Sequence, residues 1–156
     1  MYKNRIRIVA FFMVLFALAL NVSVVFAAKP LAIHIEVTTP VTGSPDAPFD
    51  ASGPAVDDGF VCASGTVEDL GGRVKDLKYP YRKLWLEKRF HCDDGSGTYL
   101  VSLIAKVNLE TGYVSGKWHV VDGTGDYQKL HGNGKLYSTP VVLGETVHDV
   151  YDGKLH

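Results

Sequence analysis

Leu31, Ile33, Ile35 and Val37 alternate with Ala32, His34, Glu36 and Thr38. A two-residue period of this kind suits a strand with one buried face and no helix. The period returns over Leu84–Cys92, where Leu84, Leu86, Lys88, Phe90 and Cys92 share one face and Trp85, Glu87, Arg89 and His91 the other. It returns again from Thr98 to Leu109, with Tyr99, Val101, Leu103, Ala105, Val107 and Leu109 on one face. Leu100 and Ile104 lie on the opposite face, so this strand is expected at the centre of a sheet. Between these two runs, Asp93-Asp94-Gly95-Ser96-Gly97 is a hairpin loop of turn-forming residues. Thr111-Gly112 turns the chain into a further strand over Tyr113–Val121, and Gly132–Ser138 and Val147–Leu155 are the last strand candidates. Pro40, Pro45, Pro48 and Pro54 predict loop with at most short edge pairing, because proline cannot donate to a ladder. Phe60–Thr66 reads as a short strand carrying Cys62, and Gly71-Gly72 as a turn or loose loop. One helical turn over Asp126–Leu130 is the only helix expected after the N-terminal segment. Short strands joined by Gly-rich turns predict an all-β sandwich or barrel. A barrel is preferred, since closure removes edges that this chain does little to protect.

The first residues have a different character. Lys3, Arg5 and Arg7 precede an apolar run from Ile8 to Leu20, and Val25 and Ala27 have the small side chains of a cut site. These are the parts of a secretory signal, so the expected division is a signal peptide over 1–27 and one domain over 28–156. The competing expectation is a retained anchor, because Ile8–Ala28 reaches the roughly 20 residues that a spanning helix needs. Removing 1–27 takes away three basic residues and no acids, leaving 13 Lys and Arg against 17 Asp and Glu, so the formal charge moves from −1 to −4. Export implies a secreted, periplasmic or envelope location. It also implies that Cys62 and Cys92, the only cysteines, are bridged. The closed loop of about 31 residues is worth roughly 3–4 kcal/mol through chain entropy.

Glycines frame the stretch Gly123-Thr124-Gly125-Asp126-Tyr127-Gln128-Lys129-Leu130-His131-Gly132-Asn133-Gly134. Tyr127 and Leu130 are expected to plug one end of a barrel, while Gly132 and Gly134 let the next strand start close to its neighbour. The stretch resembles the allene oxide cyclase and dirigent-like barrels and their bacterial secreted relatives, over about a dozen residues. Asp149-Val150-Tyr151-Asp152-Gly153 near the C-terminus fits the same pattern. The resemblance implies an eight-stranded antiparallel barrel with an apolar cavity. It carries no activity across: cyclases use a glutamate on the first strand, and Glu36, the first-strand acid here, sits in a different local pattern.

Three groups of side chains are candidates for chemistry. His34 and Glu36 share a strand face and form a carboxylate–imidazole pair, the alternative being an ordinary solvent face. Glu87 and Arg89, with Trp85 and His91, form either a site wall or an outer face of cross-strand pairs. The window Arg73–Arg89 holds seven of the 13 basic residues against Asp76 and Glu87, a local charge of +5 on an otherwise acidic domain. With Tyr79, Tyr81 and Trp85 interleaved among Lys75, Lys78, Arg82 and Lys83, it is a candidate surface for anionic envelope polymer or lipid, or else a solvated basic hairpin. Nucleic acid is not expected of an exported acidic protein. Asp57-Asp58-Gly59, Asp93-Asp94-Gly95 and Asp122–Asp126 lack the spacing of a calcium loop. The histidines form no close ligand pair, so neither metal nor cofactor is expected. The sequence favours a binding module for a small apolar ligand, or an envelope-associated module, over a cyclase- or isomerase-like enzyme or a purely structural domain.

Overall fold

A computed structural model describes residues 29–40 and 46–156. The segment expected to be a signal peptide, residues 1–27, lies outside the described residues. Eight strands form a closed antiparallel barrel in chain order. They are β1 (Leu31–Pro40), β2 (Ala47–Ser52), β3 (Ser64–Asp76), β4 (Tyr81–Cys92), β5 (Thr98–Asn108), β6 (Val114–Gly123), β7 (Gly132–Val142) and β8 (Thr146–Leu155). β8 pairs with β1 from Leu31↔Leu155 to Pro40↔Thr146, which closes the ring. The alternation read from β1, β4 and β5 is the inside–outside alternation of this wall, with Ile33, Ile35, Val37, Phe90, Tyr99, Val101 and Leu103 all buried.

Three local readings are corrected. The proline-punctuated stretch contains a true strand, β2, paired with both β1 and β3. Pro48 is tolerated because the ladder to β1 begins only at Phe49, so no donor is missed there. Gly71-Gly72 is not a loop between strands but a bulge within β3, where the register to β4 shifts between Asp69 and Gly72. Cys62 lies outside any strand: after a short helix α1 (Pro54–Asp57), β3 starts only at Ser64.

The two ends of the barrel differ. At one end Phe90 stacks on Tyr99, with ring centroids 4.8 Å apart, and Phe49 and Tyr151 meet Phe90 edge-on. Tyr127, on a single 3-10 turn (Gly125–Tyr127), and Leu130 are buried over this cluster with Ala55 and Val61. The Tyr127 hydroxyl accepts from the Cys62 backbone N–H (3.1 Å) and is 2.6 Å from Ser96 Oγ, which donates to Asp94. A Cys62–Cys92 disulfide ties the β2–β3 connection to the end of β4 at this closed end, with Cα atoms 5.9 Å apart. Trp118 fits against Gly134 and Gly153, where any Cβ would overlap its ring. Its indole N–H donates to the Lys135 carbonyl. At the other end β2 pairs only with Ser64–Val67, so among the described residues the upper part of β3 has no strand partner on that side. This end is open.

Candidate functional site

A cavity of about 410 Å³ enters the barrel from the open end. Its walls are apolar, from Leu84 and Leu86 on β4, Leu103 and Val107 on β5, Leu136 on β7 and Val147 on β8. A polar layer crosses the lumen beneath it. Asp69 and Lys88 are register partners on β3 and β4, and Ser138 and Asp149 are register partners on β7 and β8. Lys88 Nζ bridges the two pairs, 3.6 Å from Asp69 Oδ2 and 3.6 Å from Asp149 Oδ2. The Lys88 and Asp149 side chains are each 7% exposed. The bulge positions Asp69, whose Oδ1 accepts from the Gly71 N–H at 2.8 Å.

Separations of 3.6 Å exceed a direct charge-assisted hydrogen bond of about 2.7–2.9 Å. A hydroxyl or amide could therefore accept from Lys88 while donating to either carboxylate. One ammonium faces two carboxylates, so the layer carries a surplus negative charge and disfavours an anionic ligand. Below this layer lie the Tyr99 and Tyr151 hydroxyls, which have no hydrogen-bond partner among the described residues. Burial pushes both well above the usual phenol range, and the negative charge of Asp149 adds to the effect at Tyr151.

None of the four candidate catalytic residues, His34, Glu36, Glu87 and Arg89, lines this cavity. His34 and Glu36 do meet, on the outer wall, where His34 Nδ1 is 2.7 Å from Asp152 and Nε2 3.2 Å from Glu36. The hydrogen bond to Asp152, then that to Glu36, raises the His34 pKa above its ordinary value. Glu87 is exposed on the outer wall, and Arg89 and His91 there pair with Glu68 at 3.6 and 3.3 Å. On this outer face Arg89 and His91 make cross-strand pairs and also line a shallow groove with Thr98, Leu100 and Asp122.

The basic window is divided among several surroundings. Lys88 is inside the lumen, and Arg82 pairs with Asp76 at 2.6 Å at the cavity mouth. Arg73 and Lys83 lie over the Trp85 ring at 5.4 and 4.7 Å on the outer wall, and Lys106 lies over Tyr81 at 4.2 Å. Lys75 and Lys78 are exposed near the β3–β4 turn, and Tyr79 is 71% exposed at its tip. Among the described residues no group of His, Cys, Asp and Glu is arranged to hold a metal ion.

The sequence signal for the lumen layer was available. Lys88 is in phase with Leu84, Leu86, Phe90 and Cys92, and Asp149 with Val147, Tyr151 and Leu155. A charged residue in phase with an apolar face marks a paired interior charge. Comparison with known protein families and with curated proteins finds no match for this chain.

Proposed function

We infer that the protein is an exported binding module for a small molecule with an apolar body and a neutral or cationic, hydrogen-bonding end. The observation that carries this reading is the open, apolar-walled cavity floored by Lys88, Asp69 and Asp149. Its volume of about 410 Å³ suits a small ligand, and its few convergent polar groups supply orientation. A domain serving only as structure has no reason to keep half its lumen unfilled, because a cavity forfeits packing. Export through 1–27 supplies the oxidising compartment in which the Cys62–Cys92 bridge forms, and N-terminal sequencing of the exported protein should begin at Ala28.

The binding test uses the neutral fluorophore N-phenyl-1-naphthylamine. Its emission should rise with wild-type protein. The rise should be lost in Ala105→Trp, which fills the cavity, and reduced in the milder Leu86→Phe. An anionic naphthalene sulfonate should bind more weakly. No rise with wild type, or a rise that ignores both variants in folded protein, refutes the reading.

A second reading, an enzyme of the cyclase or isomerase kind related to the allene oxide cyclase and dirigent-like barrels, has one observation in its favour. Lys88 and Asp149 set a proton donor and acceptor together at the cavity floor. Native mass spectrometry of protein from its own host separates the two readings. A bound molecule released unchanged after incubation supports binding, and its conversion to an isomer of the same mass supports catalysis.

A further inference from the structure

We propose that the open end of the barrel docks on an anionic lipid surface. The β3–β4, β5–β6 and β7–β8 turns all lie at this end, around the cavity mouth. Each presents large apolar side chains to solvent: Leu77 and Tyr79 from the first, Leu109 and Tyr113 from the second, Val141 and Leu143 at the third. Tyr79, Tyr113, Val141 and Leu143 are 71%, 57%, 60% and 61% exposed. The loops of the closed end contribute none of the exposed large apolar side chains of the described residues. Leu70, Ile104, Val121 and Tyr137 are exposed singly on the strand walls, but among the loops apolar exposure is gathered at the open end. Such clustering marks an interaction surface, and tyrosines suit the boundary between lipid and water.

Charge selects the partner. The open end carries Lys75, Lys78, Arg82, Lys83 and Lys106 against Asp46, Asp76, Glu110 and Glu145, a balance of +1. The closed end, counted in the same way with the strand ends that flank its loops, carries Asp50, Asp57, Asp58, Asp93, Asp94, Asp122 and Asp126 against Lys29, Lys129 and Lys154, a balance of −4. Near a negative surface this asymmetry turns the open end inward and the closed end away. Apolar tips flanked by lysines match a bilayer, where the tips enter the headgroup region and the ammonium groups meet phosphates. A polysaccharide would use the lysines but gain little from Leu77 or Leu143. The proposal stands on the rim alone and does not depend on what fills the cavity.

The test is flotation with vesicles mixing phosphatidylglycerol and phosphatidylcholine, using the chain from Ala28 onward. That chain contains all eight strands and their closing register, which lie within Leu31–Leu155. Wild type should float with these vesicles at low salt, bind less as salt rises, and bind phosphatidylcholine alone weakly. Lys75→Glu and Lys78→Glu should each lower binding about fivefold or more. Leu77→Ser and Leu143→Ser should each lower it about fivefold at every salt concentration. All four substitutions are at exposed positions, and unchanged circular dichroism confirms the fold. Lys129→Glu at the closed end should leave binding as in wild type. Absence of flotation at low salt, or an equal loss from Lys129→Glu, overturns the proposal. So does binding indifferent to Leu77→Ser and Leu143→Ser and matched on an anionic polysaccharide column, which assigns the lysines to a polymer.

Discussion

Replacing Lys88 by methionine keeps a long side chain in the lumen and removes its charge. The ammonium lies 3.6 Å from Asp149, whose side chain is 7% exposed, and 3.6 Å from Asp69, whose side chain is 40% exposed. Loss of the cation strands the Asp149 carboxylate in the interior, a situation that costs about 3–5 kcal/mol. Asp69 contributes little of this, because solvent screens an exposed carboxylate. Asp149→Asn is milder, about 1–2 kcal/mol, since Lys88 keeps Asp69 as a partner. The double variant Lys88→Met/Asp149→Asn removes both charges and should recover about 1–2 kcal/mol of the Lys88→Met loss, giving a coupling of about 3 kcal/mol in the mutant cycle. Urea unfolding at neutral pH measures all four proteins. A Lys88→Met loss below about 1 kcal/mol, or a double variant no more stable than Lys88→Met, would refute the reasoning. Either result would mean that water in the cavity solvates Asp149 as well as Lys88 does.

Three further outcomes follow from the packing. Tyr127→Phe should cost about 1–3 kcal/mol, because it leaves the buried Cys62 N–H without its acceptor, and Tyr127→Ala about 3–5 kcal/mol. Tyr99→Phe and Tyr151→Phe should be neutral or stabilising, since each removes a buried hydroxyl with no partner among the described residues; thermal unfolding distinguishes the two behaviours. Gly153→Ala should lower stability by about 1–3 kcal/mol, as its Cβ overlaps the Asn133 carbonyl and the Trp118 ring, and loss of the folded-state tryptophan emission at lower urea would show it. His34 binds its proton more tightly in the folded chain through Asp152 and Glu36. Its contribution is therefore fully present below the unfolded value of 6.5 and disappears as pH rises through the raised folded value. The stability gap between wild type and His34→Gln should be larger at about pH 5.5 than at about pH 8.5, and a gap that grows with pH would contradict this.

Period-two alternation made the fold legible, because in a closed barrel every strand has one face in the core and one in water. β1, β4 and β5 could be read for that reason. β2 could not, because Pro48 masks a strand whose ladder to β1 starts one residue later. The end of β7 is masked in the same way by Pro140, near which the register to β8 shifts. The candidate site was less legible. Counting charge along Arg73–Arg89 groups residues by sequence, whereas a strand sends neighbours to opposite faces. Lys88 and Arg89 are adjacent in the chain, yet one enters the lumen and the other pairs with Glu68 outside. The partners of Lys88 lie on β3 and β8 and are brought together only by closure of the ring.

The two halves of the barrel depend on each other. An unfilled lumen of about 410 Å³ forfeits contacts that a packed core would make. The closed half offsets this by concentrating Phe49, Phe90, Tyr99, Tyr151 and Trp118 under the Tyr127 plug and by cross-linking that plug's surroundings through Cys62 and Cys92. Stability is thus placed at one end, so the walls at the other can remain apolar without being filled. The polar layer of Lys88, Asp69, Asp149 and Ser138 lies where these halves meet, facing the cavity above and the aromatic cluster below. Its charges are compensated mainly by one another, so a ligand that contacts Lys88 must replace part of what the carboxylates supply. That requirement selects hydrogen-bonding capacity over negative charge, and it makes the layer the part of the barrel most able to discriminate among apolar molecules of similar size.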